Sequence, residues 1–243
     1  MLSPSSPGSS PQIVKLDNVD HGDLTVAVRH DAAFGDAVNQ VAVFPTEFEQ
    51  VQRDYPILFR QDPDRDFYAI ALTGLDLDEN LFLGPKGWTA HYVPAVRQHR
   101  PFVLRIGDAG ETEICVDLND PRVGDPTGEP LFLRHGGTAP YLLHIGRVLE
   151  TLRRGVEAQA PFFESLVRYE LIKPVNLDVE IDDGLHYRID DVYAIDGDRL
   201  AALSDADLGH LHRGGVLRAA IMASASLDNV ARLIELKRRR IAA

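Results

Sequence analysis

Apolar and polar positions alternate with a period of two through much of the first half of the chain. LTVAVR (24–29), QVAVFP (40–45), PILFR (56–60), FYAIALT (67–73), PFVLRI (101–106) and EICVDL (113–118) are short runs rich in β-branched and aromatic residues. Such runs read as strands that bury one face. Turn chemistry separates them at Asp62-Pro63-Asp64, Pro85-Lys86-Gly87 and Gly107-Asp108-Ala109-Gly110. TEFEQVQRD (46–54) predicts a short helix ahead of Tyr55-Pro56.

From about Thr138 the period changes. Leu142, Ile145, Leu149 and Leu152 recur at helical spacing, as do Phe162, Leu166 and Tyr169. Gly155 and Pro161 are expected to divide this stretch into two helices, with Pro174 stopping the second. VEIDDGLHYRI (179–189) holds Asp183-Gly184 between two alternating segments, the strongest hairpin signal in the sequence. Beyond it, Ser204 is placed to cap a helix over 205–213 that Gly214-Gly215 would end. Leu217 to Ala223 supports a further short helix. Ser226 is expected to cap the last helix, with Leu227, Val230, Ile234 and Ile241 along one stripe. Strands do not alternate regularly with helices, so the pattern predicts an α+β fold. Its N-terminal half would be β-rich, with an antiparallel or mixed sheet, over 13–135. Its C-terminal half, 138–243, would be predominantly helical with one β-hairpin. A disordered Ser/Pro tail over 1–12 would precede this single domain of 13–243.

Composition removes several functions. A formal net charge of −12 over 243 residues argues against a nucleic-acid surface. The basic run Lys237-Arg238-Arg239-Arg240 reads as a solvated helix end that complements the helix dipole. The single cysteine, Cys115, cannot form an internal disulfide and falls in a strand-like stretch as a small buried residue. No apolar run approaches the roughly 20 residues a spanning helix needs. The start, MLSPSSPGSSPQ, has neither the charged nor the apolar region of a signal peptide. A cytoplasmic location is therefore expected, with neither a membrane span nor a nucleic-acid partner.

Motifs for serine hydrolases, phosphate loops, dinucleotide folds and zinc proteases are absent. His21-Gly22-Asp23, with a later histidine among His91, His99, His135 and His144, has the residue types of a non-haem Fe(II) facial triad. The competing reading places Asp23 in a turn before the strand at 24–29. Asp117, Asn119, Asp120 and Asp125 are oxygen-rich, but Pro121, Gly124 and Pro126 mark an ordinary polar loop rather than a calcium site. Asp182-Asp183 and Asp190-Asp191 read as turn and surface residues.

The segment ENLFLGPKGWTAHYVPAVRQHRPF (79–102) is the best candidate for binding. Asn80 can orient a ligand, and Trp88 and Tyr92 bring large aromatic area, each with a polar handle. Arg97 and Arg100, three residues apart, can point the same way on a helical turn and grip a carboxylate or other anion. The alternative puts Trp88 and Tyr92 in the core and an arginine on loop carbonyls or an internal acid.

With these residues in view, the chain resembles the SapC-like proteins. The matching phrases are YPILF (55–59), ALTGL (71–75), ENLFL (79–83), GW..HYVPAVRQHRPF (87–102), ICVD (114–117), GEPLF (128–132) and LHRGGVLRAAIMASASLDN (211–229). His21, Asp23, Leu24, Phe34 and Glu47-Phe48 fit an N-terminal element of the same pattern. One departure is Arg97-Gln98-His99-Arg100-Pro101-Phe102, where the family usually has an Arg-Arg-Tyr-Pro-Phe-like run. The family name comes from a link with surface-layer gene clusters. Its genes often lie beside TonB-dependent receptors, flavin-dependent tryptophan-halogenase-like proteins and cupin-like oxygenases. The resemblance thus implies an accessory or binding protein for a small molecule, a peptide or a partner such as a halogenase-like enzyme, linked to peptide or amino-acid uptake and modification. It brings no established reaction and no cofactor. An iron-dependent oxygenase, and a structural interaction protein docking through its apolar C-terminal stripe, are the alternatives.

Overall fold

The computed structural model describes residues 10–107, 110–182 and 184–242. Most of the expected tail, together with Asp108, Ala109 and Asp183 of the expected turns, lies outside them. The strands are β1 (Ile13–Lys15), β2 (Thr25–Val26), β3 (Gln40–Val43), β4 (Ile57–Gln61), β5 (Phe67–Leu72), β6 (Leu83–Gly84), β7 (Gly87–Trp88), β8 (Phe102–Ile106), β9 (Thr112–Asp117), β10 (Glu129–Pro130), β11 (Ile172–Asp182) and β12 (Leu185–Ile195). The α-helices are α1 (Phe48–Val51), α2 (Ala95–Gln98), α3 (Pro140–Arg168), α4 (Gly197–Ala201), α5 (Asp205–Arg213), α6 (Val216–Ala225) and α7 (Asn229–Ile241).

The fold is α+β, but it does not divide into a β-rich first half and a helical second half with a short hairpin: the C-terminal half holds a long strand pair beside its helices. β11 and β12, 11 residues each, extend well beyond the hairpin tip that the sequence marks. They are part of an antiparallel five-stranded sheet of order β11-β12-β4-β5-β3. The sheet thus takes strands from both halves of the chain, with Tyr193 paired to Phe59 at the junction. Period-two patterning shows only the half-buried parts of such strands. Pro174, expected to stop a helix, sits inside β11, the edge strand, where a missing N–H is tolerated.

Two apolar clusters hold the molecule. One packs Phe48, Tyr55, Phe59 and Phe82 with Phe162, Phe163 and Leu166 of α3 and with α6 and α7. The other joins the β1-β9-β8 sheet to Leu142, Ile145 and Leu149 at the opposite end of α3. α3 therefore serves both, and it is one uninterrupted helix of 29 residues rather than two. Pro161 is on its exposed side, where water can take the carbonyl that proline leaves unpaired. Gly155 is buried against Phe44, so close that an added Cβ would lie 2.6 Å from the Phe44 Cβ. That glycine serves packing, not termination.

Elsewhere the local signals hold unevenly. Ser204 caps α5 by accepting from the Asp207 N–H at 3.2 Å, and Gly215 follows with φ +72°. Ser226 caps nothing. Its buried hydroxyl donates to the Ala223 carbonyl and accepts from the Ile57 N–H at 2.8 Å, tying α6 to β4. Along α7, Leu233 is buried and Val230 and Ile234 pack on the larger cluster, whereas Ile241 is half exposed. Three of the four stripe positions, Leu227, Val230 and Ile234, thus pack on the protein's own core. Among the described residues, no helix is long and apolar enough to cross a membrane.

Candidate functional site

The segment 94–100 is held rigidly from beneath. α2 is a single turn, and Arg97 N–H donates to the Pro94 carbonyl at 2.7 Å. The buried Glu47 fixes its start: Oε2 accepts from the Ala95 N–H (3.0 Å) and the Tyr92 hydroxyl (2.8 Å), and Oε1 from the Phe44 N–H (3.1 Å). Burial pushes the Glu47 carboxyl up, opposed by these three hydrogen bonds. From this base, residues 97–100 project toward the segment that follows β2.

Between the two lies a hollow of about 70 Å³. Ala27, Val28, Arg29 and His30 form one side, Arg97, Gln98 and Arg100 another, and Arg122, Tyr141 and His144 close it. Four guanidiniums at one concavity, in so acidic a chain, is a concentration of charge opposite to that of the whole.

Most of that charge is matched. Arg29 pairs with Asp125, and Arg122 grips both Asp120 oxygens at 3.2 and 3.1 Å and donates to the Phe34 carbonyl at 3.0 Å. The same two arginines stand against the Phe34 ring, at 5.1 and 4.6 Å from its centroid. Asp36, fully buried, accepts from the Asp31 N–H at 3.1 Å and meets His30 Nδ1 at 3.2 Å, with Arg122 at 3.9 Å. His144 Nε2 meets Gln98 Oε1 at 3.1 Å. Burial pushes the Tyr141 hydroxyl up to about 12, so it stays a neutral donor.

Two arginines remain less committed. Arg97 donates through Nη1 to the Gly35 carbonyl at 3.1 Å, while its buried Nε has no partner among the described residues. Burial lowers its affinity for the proton, Asp36 opposes this, and Arg100 and Arg122 add to it. Arg100 makes no hydrogen bond or ion pair with the described residues. The other unpartnered buried side-chain atom found among them is Asp36 Oδ1, beside the same wall. Unspent donors and charge around one concavity can hold an anion.

The expected binding residues divide. Arg97 and Arg100 share the hollow; Asn80, Trp88 and Tyr92 do not line it. Asn80 is buried, donates to the Asp36 carbonyl at 2.9 Å and accepts from the Phe82 N–H at 3.0 Å. Trp88 Nε1 donates to the Tyr55 hydroxyl at 2.6 Å, which donates to the Tyr92 carbonyl at 2.6 Å. Their rings pack on the larger cluster, and Trp88 also meets the His30 ring edge-on at 5.5 Å. These three residues support the wall from behind. His21 pairs with Asp17 at 3.6 Å, and no group of three or more His, Cys, Asp or Glu side chains among the described residues is placed to hold a metal. Among the described residues, His21 and Asp23 thus belong to no such group. The loop at 117–129 serves structure, its Asp120 and Asp125 neutralising arginines of the hollow.

Sequence reasoning missed Val28, His30, Arg122 and Tyr141. The two arginines carried a local signal in their spacing, whereas these four arrive from three distant segments that only the fold brings together. In comparison with known proteins, a family model described as SapC matches residues 16–233. No curated protein matches the chain, and no solved structure does.

Proposed function

The chain belongs to the SapC family, and on that footing we propose that it is a cytoplasmic accessory protein that binds a small molecule or peptide by an anionic group held at Arg97 and Arg100. The observation that carries this reading is the unmatched Arg100 guanidinium beside Arg97, whose Nε has no partner among the described residues, on the wall of one hollow. Guanidinium forks suit carboxylate and phosphate oxygens, and a partly dry wall strengthens each such bond. The Glu47 hydrogen bonds fix the backbone that carries both arginines, which limits the ordering left to their side chains on binding. A role beside enzymes of peptide or amino-acid uptake and modification accords with such a ligand.

Acetate and inorganic phosphate are the simplest probes. Either should raise the thermal midpoint of the wild-type protein with increasing concentration, as any ligand of the folded state does. Arg100→Ala should abolish the increase while leaving the midpoint without anion close to wild type, since that side chain supports nothing else. Arg97→Ala should abolish it too and lower the midpoint as well, because the Gly35 carbonyl loses its donor. Equal stabilisation of wild type and Arg100→Ala by both anions would remove the proposal.

A further inference from the structure

We infer that the hollow receives the C-terminal end of a peptide, with the carboxylate on Arg97 and Arg100 and the last amides against the main chain of Val28, Arg29 and His30. This rests on the anion-binding reading above and narrows it to one class of ligand. Charge is the first argument. Four guanidiniums surround the hollow, and three carboxylates, Asp36, Asp120 and Asp125, are engaged with the lining residues. With histidine counted as neutral, one positive charge is left over. It matches a single carboxylate and falls short of a phosphate dianion.

The second argument is independent and concerns the backbone. β2 ends at Val26, and the Ala27 N–H still donates to the Arg122 carbonyl at 2.9 Å. Beyond it, no hydrogen bond from the described residues engages the main-chain N–H or C=O of Val28, Arg29 or His30. Val28 is half exposed there, and its side chain with Ala27 and the Tyr141 ring gives the hollow an apolar part. A free inorganic anion can use main-chain N–H donors but not the carbonyl acceptors beside them. A peptide end can use both, because it can pair strand-fashion while its terminal carboxylate meets the cations.

The test uses the full chain, labelled for amide and arginine Nε–H NMR, and a mixed-sequence pool of N-acetylated tetrapeptides as free acids or as C-terminal amides. The free acids should shift the amide signals of Val28, Arg29 and His30 together with Arg97 Nε–H. The amides should bind at least about tenfold more weakly, the loss expected for a charge-assisted hydrogen bond. Arg100→Ala should weaken the free acids to the level of the amides. Equal binding of acids and amides, arginine shifts without shifts at 28–30, or inorganic phosphate binding more tightly than the free acids would overturn the inference; the last two leave the anion-binding reading in place. No response to peptide, acetate or phosphate would remove both.

Discussion

Asp54 shows how one side chain can hold three segments. Fully buried, it accepts from the His91 N–H at 2.9 Å and the His91 Nδ1–H at 3.0 Å, and it pairs with Arg232 of α7. Burial alone would push this carboxyl up, but the His91 hydrogen bonds and the Arg232 guanidinium outweigh it and hold the group below the ordinary aspartate value. A folded-state pKa below the unfolded one means stability that is present in full above about pH 4 and lost as pH falls through the folded value. Asp54→Asn should cost on the order of 2 kcal/mol at pH 7, as hydrogen bonds to a charged group do. The gap in midpoint between wild type and variant should then narrow below about pH 4, a comparison in which the other acids cancel. A gap constant from pH 7 to pH 3 would contradict this account. The sequence offered His91 only as a candidate metal ligand, because its partner is 37 residues away in the chain. By contrast, Arg97 and Arg100 were legible as a pair, since three-residue spacing on a turn is a local property.

Among the elements, α3 departs most from its sequence signals. A glycine and a proline six residues apart read as a break, yet the apolar period runs through both and the helix with it. Tertiary packing overrides local propensity here, because α3 buries residues in both clusters. Gly155→Ala tests which demand wins. On an isolated helix the change would stabilise by roughly 1 kcal/mol. In this protein the new methyl would meet Phe44 Cβ and Cγ at 2.6 Å, a contact that only a shift of the helix or of that ring can relieve. Overpacking of this kind costs about 1–3 kcal/mol, so the variant should lose stability in urea unfolding with its m-value unchanged. A more stable variant would show that the helix has room to move. The long β11–β12 pair was hidden for a related reason. The sequence marks it only by Asp183-Gly184, and the outer reaches of β12 mix exposed charges with buried positions and show no clean alternation.

Across the whole molecule, the basic end of α7 joins the two halves, where the sequence suggested a solvated run. Lys237 is almost fully buried and bonds Asp76 and, at 2.8 Å, Glu79. Burial by itself would lower its pKa, yet the two carboxylates outweigh this and hold it well above the usual lysine value. Arg240 donates to the Asn80 carbonyl at 3.1 Å and the Leu83 carbonyl at 2.8 Å, and Arg238 to the Ile181 carbonyl at 2.7 Å. The Lys237 and Arg240 bonds fasten residues 76–83 to the last helix, and the Arg238 bond ties it to β11. Asn80 in turn donates to the carbonyl of Asp36, behind the arginine-lined hollow. Helix periodicity could not show this, because Lys237 lies on the buried face only once α7 is docked beside β11. Lys237→Met should destabilise by on the order of 3 kcal/mol, the cost of stranding a buried carboxylate, here Glu79. Adding Glu79→Gln should recover part of that loss, giving a double-mutant coupling above about 1 kcal/mol. A solvated lysine would instead give a change within about 0.5 kcal/mol and no coupling. Because the clamp reaches Asp36 through Asn80, Lys237→Met should also weaken acetate binding at Arg100, a side chain it never touches, and refolded variant with unaltered acetate affinity would confine the clamp to stability.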